Sequence, residues 1–410
     1  MTEPACRAAF VGEIVQIYID LEPRARRFAR RQANRRDIEE SLPNRYGKKS
    51  EFHHVHKTID MLIDIAGSIL KQYNLGSVDH LEPLVGGLIN DSFVVSAARG
   101  RFVLQRLHPI FSADVHEDIA AMTAVIAREG LIVPRLILTK RGRLCWIDHD
   151  RHVWRLMSYI AGRSLSTIPD ENVAFAAGRL VGRFHRALSM VWYRFRFSRP
   201  NAHQLDWHRS NLEQALTEGQ ASSWIGRVSG LWEQMKPELP RLPSTGHLRR
   251  RICHGDLKLS NILFNERSEA IALVDLDTMG WMPIAHELGD AWRSWCNRAG
   301  EDTTAIEFDL GIFRAALTGY VGEMRCQLAK LEILSLATSM NSIAFELAIR
   351  FLADTLVDRY FAWDPSRFAS RAEHNWVRAN SQFRLYQEIT RSQREIEKIV
   401  DGVSRDLLFR

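Results

Sequence analysis

The sequence predicts an α+β protein of two lobes, a small antiparallel sheet followed by a mainly helical body. Three observations predict it. Short β-branched and apolar runs, punctuated by glycines, cluster between residues 80 and 162. Helical spacing takes over after Gly162. The length of 410 residues exceeds the usual span of one compact core.

The elements follow in order. "TIDMLIDIAGSILKQYNLG" places Ile59, Leu62, Ile63, Ile65, Ile69 and Leu70 on one helical face and ends at a glycine cap. "HLEPLVGG", "DSFVVSA" and "RFVLQRLH" read as consecutive antiparallel strands, and "ADVHEDIAAMTAVIAREG" as a helix. "VPRLILT", "RLCWID" and "VWRLMSYIAG" return to strand character. Residues 59–158 are therefore expected to form the sheet lobe with one helix, and residues 159–410 the helical lobe, opened by Asp170 before "ENVAFAAGRLVGRFHRALSM". Within the second lobe, "NILFN" and "AIALVDLD" are two short strands.

Composition narrows the class. Apolar residues at 46% and charged residues at 25% argue against bulk disorder. The five cysteines, Cys6, Cys145, Cys253, Cys296 and Cys326, are scattered with no C-x-x-C pair, which fits a reducing, cytoplasmic setting without a zinc or redox motif. "MTEPACRAAFVGEIVQIYID" lacks a basic leader, and Glu13 and Asp20 interrupt its apolar run, so neither a secretory signal nor a membrane partner is expected. The net charge of +6 is uneven: residues 1–58 carry +4 and the remaining chain +2. Seven arginines lie in "PRARRFARRQANRR", Pro23 to Arg36. That stretch suits a nucleic-acid backbone, but a solvated face or an extension outside the fold, over residues 1–58, is the more economical reading.

The chemistry concentrates in "RRICHGDLKLSNILFN", Arg250 to Asn265. Phosphoryl transfer from ATP needs a carboxylate for the acceptor hydroxyl, oxygen ligands for Mg²⁺ and a cation near the γ-phosphate. Asp256 supplies the first, Asn261 and Asp275 the second, and Lys258 the third. Turn hydrogen bonds would explain Asp256 and Asn261 taken alone. The flanking strands and the aspartate at the end of the next strand favour catalysis.

"HGDLKLSN" resembles the catalytic loop of the protein-kinase-like superfamily, and its glycine resembles the small-molecule branch of aminoglycoside phosphotransferases and choline kinases. "GLINDSFVV", "FVLQRLH", "ALVDLDTM", "ELGDAWR" and "ELAIRFLADTLVDRYF" are most similar to the N-acetylhexosamine 1-kinase-like group. The resemblance implies a two-lobed kinase fold, Asp256 as catalytic base, Asn261 and Asp275 as metal ligands, and Asp290 as a brace for the loop. Only fourteen residues separate Asp275 from Asp290, too few for a peptide-holding activation segment, and Gly255 stands where a phosphorylation-switched kinase carries arginine. A small acceptor remains.

On the nucleotide side, Gly86 and Gly87, with Asn90 and Ser92, are candidates for phosphate contact, although G-x-G-x-x-G is absent and a plain hairpin turn fits as well. Strand alternation lets only one of Gln105 and Arg106 face the phosphates, and Arg106 brings the charge. Its expected partner is Glu117, with Asp118 as the alternate. The adenine is expected along Met157–Ile160, including Tyr159. For the acceptor, Asp277 and Arg293 are candidate partners of sugar hydroxyls, with Trp281, Trp292 and Trp295 either stacking on a ring or packing in the core. His254 is expected to support the loop.

The reading is thus an ATP- and Mg²⁺-dependent kinase of a small hydroxyl compound, a sugar in first place. An amino alcohol or an aminoglycoside is the alternative acceptor, and a nucleic-acid-associated protein the alternative class. A metal hydrolase built on His254 ranks far lower, because His247 and His286 lack ligand spacing.

Overall fold

The computed structural model of the chain describes residues 62–84, 90–199 and 201–408. The basic segment within residues 1–58 and the pair Gly86–Gly87 lie outside them. Two compact units separate. One contains the described residues up to Ala113, together with Leu136–Tyr159 and Asp364–Arg367; the other contains Asp114–Arg135, Ile160–Trp363 and Phe368–Arg410.

The first unit is built on a helix, α1, over residues 62–70, and five strands: β1 (Val78–Pro83), β2 (Asp91–Ala97), β3 (Gly100–Arg106), β4 (Trp146–Ile147) and β5 (Val153–Ser158). The sheet runs β1-β2-β3-β5-β4, antiparallel throughout. Because directly paired residues share a face, register sorts the side chains into two sets. Phe93, Leu104 and Leu156 form one row, and Asp91, Arg106 and Trp154 another, on the face whose apolar residues pack with Ala66, Ile69, Leu70 and Tyr73. Ser92, Gln105 and Arg155, then Val94, Val103 and Met157, occupy the opposite face. "VPRLILT", expected as a strand, pairs only through isolated bridges such as Leu136 with Met157. Pro134 lacks the amide a ladder would use there.

The helix expected in the sheet lobe, α2 (Val115–Arg128), instead falls in the second unit, as do α3 (Glu171–Leu188), α4 (Leu205–Glu218) and α5 (Ile225–Met235). Asp170 caps α3, its side chain accepting from Val173 N at 2.9 Å. Next come β6 (Arg250–Cys253), the hairpin β7 (Ile262–Phe264) and β8 (Ala270–Leu273), and β9 (Gly280–Pro283), which pairs with β6. Six helices complete the unit: α6 (Ile284–Trp295), α7 (Leu310–Met324), α8 (Lys330–Leu336), α9 (Ser339–Val357), α10 (Arg371–Arg391) and α11 (Gln393–Leu408). Helices α3 and α7 cross closely enough that a Cβ on Gly178 would lie 2.0 Å from Ala316 O, and one on Gly319 2.3 Å from Phe175 O. Among the described residues no helix is long and apolar enough to cross a membrane.

Candidate active site

The candidate catalytic loop leaves β6 at Cys253 and enters β7 at Ile262. It is anchored through its backbone. Glu287, one turn into α6, accepts from His254 N at 2.7 Å and Gly255 N at 2.8 Å. Thr278 Oγ1 donates to His254 O at 2.8 Å, and Trp295 Nε1 donates to Leu257 O at 2.9 Å. Gly255 has φ +83°, and a Cβ there would meet Thr278 O at 2.4 Å. The glycine is thus a steric requirement of the loop as well as a family marker.

This anchoring corrects one expectation. Asp290 does not brace the loop; it accepts from Arg293 at 2.8 Å, and Glu287 is the brace. Glu287 shares the i, i+3, i+4 face of Ile284, Leu288 and Ala291, so a carboxylate on an apolar helix face was the available signal. Burial would raise its pKa. The hydrogen-bonded His185, with His254 and the Gly255 amide, outweighs burial and holds the carboxyl below its ordinary range. His254 is fully buried with Nε2 2.9 Å from Val274 O, which ties the loop to the segment that carries Asp275.

Asp256, Lys258, Asn261 and Asp275 come together. Lys258 Nζ donates to Asp256 Oδ2 at 2.8 Å, and Asn261 Nδ2 donates to the same oxygen at 3.1 Å and to Asp256 O at 2.9 Å. Burial would lower the Lys258 pKa, but Asp256, then Asp275 and Asp290, hold its ammonium above the usual lysine value. With its NH₂ turned to Asp256, Asn261 has its amide oxygen left for a cation. Val274 N donates to Asn261 O at 3.0 Å, so Asp275 follows directly beside it, at φ +63°. An amide oxygen and a carboxylate at adjoining strand ends fit a hard divalent cation.

The other candidates separate. Asp277 is buried in the turn Leu276–Thr278. Arg293 directs its donors to Asp290 and Glu301 rather than to an open pocket, and these carboxylates, acting against burial, raise its pKa. Trp292 and Trp295 are core residues, whereas Trp281 remains partly exposed with its ring 5.8 Å from that of Trp192. Asp118 is buried and accepts from Tyr193 Oη, Arg196 N and Phe197 N at 2.9–3.0 Å. Glu117 is exposed.

In the sheet, Arg106 pairs with Asp91 at 2.6 Å on the face that carries α1. The expected pair with Glu117 is replaced by this one. On the opposite face, Gln105 Oε1 accepts from Arg155 Nε at 2.9 Å, and Gln105 Nε2 donates to Ser92 Oγ at 2.8 Å. Arg155 was missed, although a lone charge in "VWRLMS" alternating with Trp154 and Leu156 could have signalled it. Asn90 Oδ1 accepts from His108 N at 2.9 Å. Met157 lies on the Gln105 face, and Tyr159 sits beneath the Arg101 guanidinium at 3.9 Å.

The model of the phosphotransferase enzyme family matches residues 80–325, more than half of the sequence and the whole of this site. The chain belongs to that family. This phosphotransferase is 23% identical over 230 residues to a homoserine kinase of Methylobacillus flagellatus, covering 56% of this chain and 68% of that one. A homoserine kinase of Rhodopseudomonas palustris is 22% identical over 309 residues, covering 73% and 85%. Among solved structures, an aminoglycoside phosphotransferase from Alicyclobacillus acidocaldarius matches with TM-score 0.56 at 15% identity, covering 82% of this chain and 96% of that one. The microcompartment-associated aminopropanol kinase matches with TM-score 0.55 at 17% identity, covering 82% and 98%. The phosphotransferase therefore has the kinase-like α+β fold and is a small-molecule kinase.

Proposed function

We propose that this enzyme transfers the γ-phosphoryl group of ATP, with Mg²⁺, to the hydroxyl of a small compound that also carries an amino group. The observation that carries the reading is the convergence of Lys258 Nζ and Asn261 Nδ2 on one oxygen of Asp256, beside the Asp275 strand end. The two donors fix the carboxylate in place to orient an acceptor hydroxyl and take its proton as the new P–O bond forms and the bond to ADP breaks. Asn261 and Asp275 would hold the cation, which when bound offsets phosphate charge. Lys258 would stabilise the charge developing on the phosphoryl oxygens. On the sheet, Arg155, positioned by Gln105, is the cation assigned to the nucleotide phosphates in place of Arg106.

The amino group is supported by the similar proteins, homoserine kinases and an aminopropanol kinase. A sugar acceptor is the second reading, favoured by the partly exposed Trp281 beside Trp192. Phosphorus NMR of the protein with Mg·ATP and a panel of amino alcohols, hydroxy amino acids and N-acetylhexosamines tests both readings. A phosphomonoester resonance that grows with the wild type and not with Asp256→Asn supports the reaction and the base. Growth with the hexosamines alone would move the acceptor to a sugar.

A further inference from the structure

Helix α6 carries His286, Asp290 and Arg293 along one stripe, at spacings of four and three residues. The helix is bonded to the catalytic loop on both sides of Asp290, through Glu287 to His254 and Gly255 and through Trp295 to Leu257. Asp290 therefore stands beside the loop that carries Asp256 and Lys258. Arg293 occupies only its Oδ1, and the side chain keeps 21% of its surface exposed.

Residues distant in sequence gather at the same stripe. The His203 ring lies 5.1 Å from that of His286, and its Nδ1 is 3.2 Å from Glu346 Oε1. Arg350, one turn further along α9, approaches the same oxygen at 3.6 Å, and His208 at 3.5 Å. Glu346 is buried, so it serves to fix a histidine and an arginine whose side chains reach the surface at 12% and 15% exposure. His203 and Arg350 also act electrostatically on Asp290. One patch next to the catalytic loop thus presents a fixed carboxylate together with a fixed guanidinium and a fixed imidazole.

We propose that Asp290, His203 and Arg350 bind the charged head of the acceptor, which is a zwitterionic hydroxy amino acid. Its ammonium meets Asp290, its carboxylate meets Arg350 and His203, and its side-chain hydroxyl extends to Asp256. The proposal rests on the kinase reading above and deepens it. Glu346 engages one side of Arg350 and of His203, so an amine without a carboxylate would leave their remaining donors without an acceptor, and a neutral sugar would place no charge against them or against the second oxygen of Asp290, which costs affinity.

The test is acceptor binding by saturation-transfer NMR in the presence of Mg·AMP-PNP, run beside phosphorus NMR of transfer from Mg·ATP. The probes are L-homoserine, L-serine and L-threonine, with 3-aminopropanol lacking the carboxylate, 4-hydroxybutyrate lacking the ammonium, and N-acetylglucosamine. At least one hydroxy amino acid binds more than about tenfold tighter than each of the three controls. Asp290→Asn weakens ligands that carry ammonium and leaves 4-hydroxybutyrate unchanged. Arg350→Gln weakens ligands that carry carboxylate and leaves 3-aminopropanol unchanged, and Asp290→Glu, which keeps the charge, recovers part of the loss. A control that binds as tightly as the best hydroxy amino acid overturns the proposal, as does equal weakening of all ligands by both variants. Amino-acid binding without phosphoryl transfer would sink the kinase reading and leave the subsite standing, whereas transfer confined to the controls would do the reverse.

Discussion

The catalytic loop and the five-stranded sheet carry function in opposite ways. In the loop, the groups that meet are neighbours in sequence: Asp256, Lys258 and Asn261 share one carboxylate oxygen within six residues. In the sheet, the groups that meet come from three strands: Ser92, Gln105 and Arg155 align only because the register puts them in one row. The difference teaches that a short motif can disclose chemistry directly, while a sheet discloses it only once each strand's face is known. Arg106 illustrates this. Its charge made it the preferred phosphate ligand, yet it shares the α1 face and is spent on Asp91.

The loop is the more sensitive of the two regions. Asp256→Asn is expected to lower kcat by roughly 10²–10⁴-fold while nucleotide affinity stays within a few-fold, read by coupled assay and calorimetry. An unchanged kcat would remove the loop from the chemistry. Gly255→Ala is expected to destabilise the protein by about 2–4 kcal/mol in denaturant melts, because the added methyl meets Thr278 O in a left-handed backbone. Gly226→Ala, where a Cβ meets nothing within 4 Å, is the control and should be neutral or slightly stabilising.

The sheet half is sharpened by a pair of substitutions. Arg155→Met is expected to weaken ATP binding by roughly tenfold or more, and Arg106→Met by less than about threefold, in titrations at fixed salt. The opposite order would return the phosphates to the α1 face.

The most gradual expected effect concerns pH. Burial, helped by the charge of His203, holds His286 down at about 4 from its ordinary 6.5, and Glu346 opposes this only in part. A histidine depressed on folding binds fewer protons folded than unfolded between those values. Its contribution is therefore complete above about 6.5 and is lost as pH falls towards about 4, a change of at most about 3 kcal/mol. His286→Gln should flatten the melting temperature over that window, and an identical slope in the variant would refute the assignment.

Much of this protein was determined by its sequence alone. The order sheet then helices, the Asp170 cap, the β7–β8 hairpin and the set Asp256, Lys258, Asn261 and Asp275 all depend on residues close along the chain, where propensity and spacing act. The Asp290 brace was misplaced by one turn of one helix, since "ELGD" offers two carboxylates and only packing shows that Glu287 points at the loop amides. Tertiary structure alone decided which sheet face carries Gln105 and Arg155, and that α2 joins the helical unit. It alone brought His203 to Glu346, 143 residues away. The physical reason is common to these cases. A strand's two faces and a helix's neighbours are chosen by burial summed over the whole core, and no local stretch contains that sum.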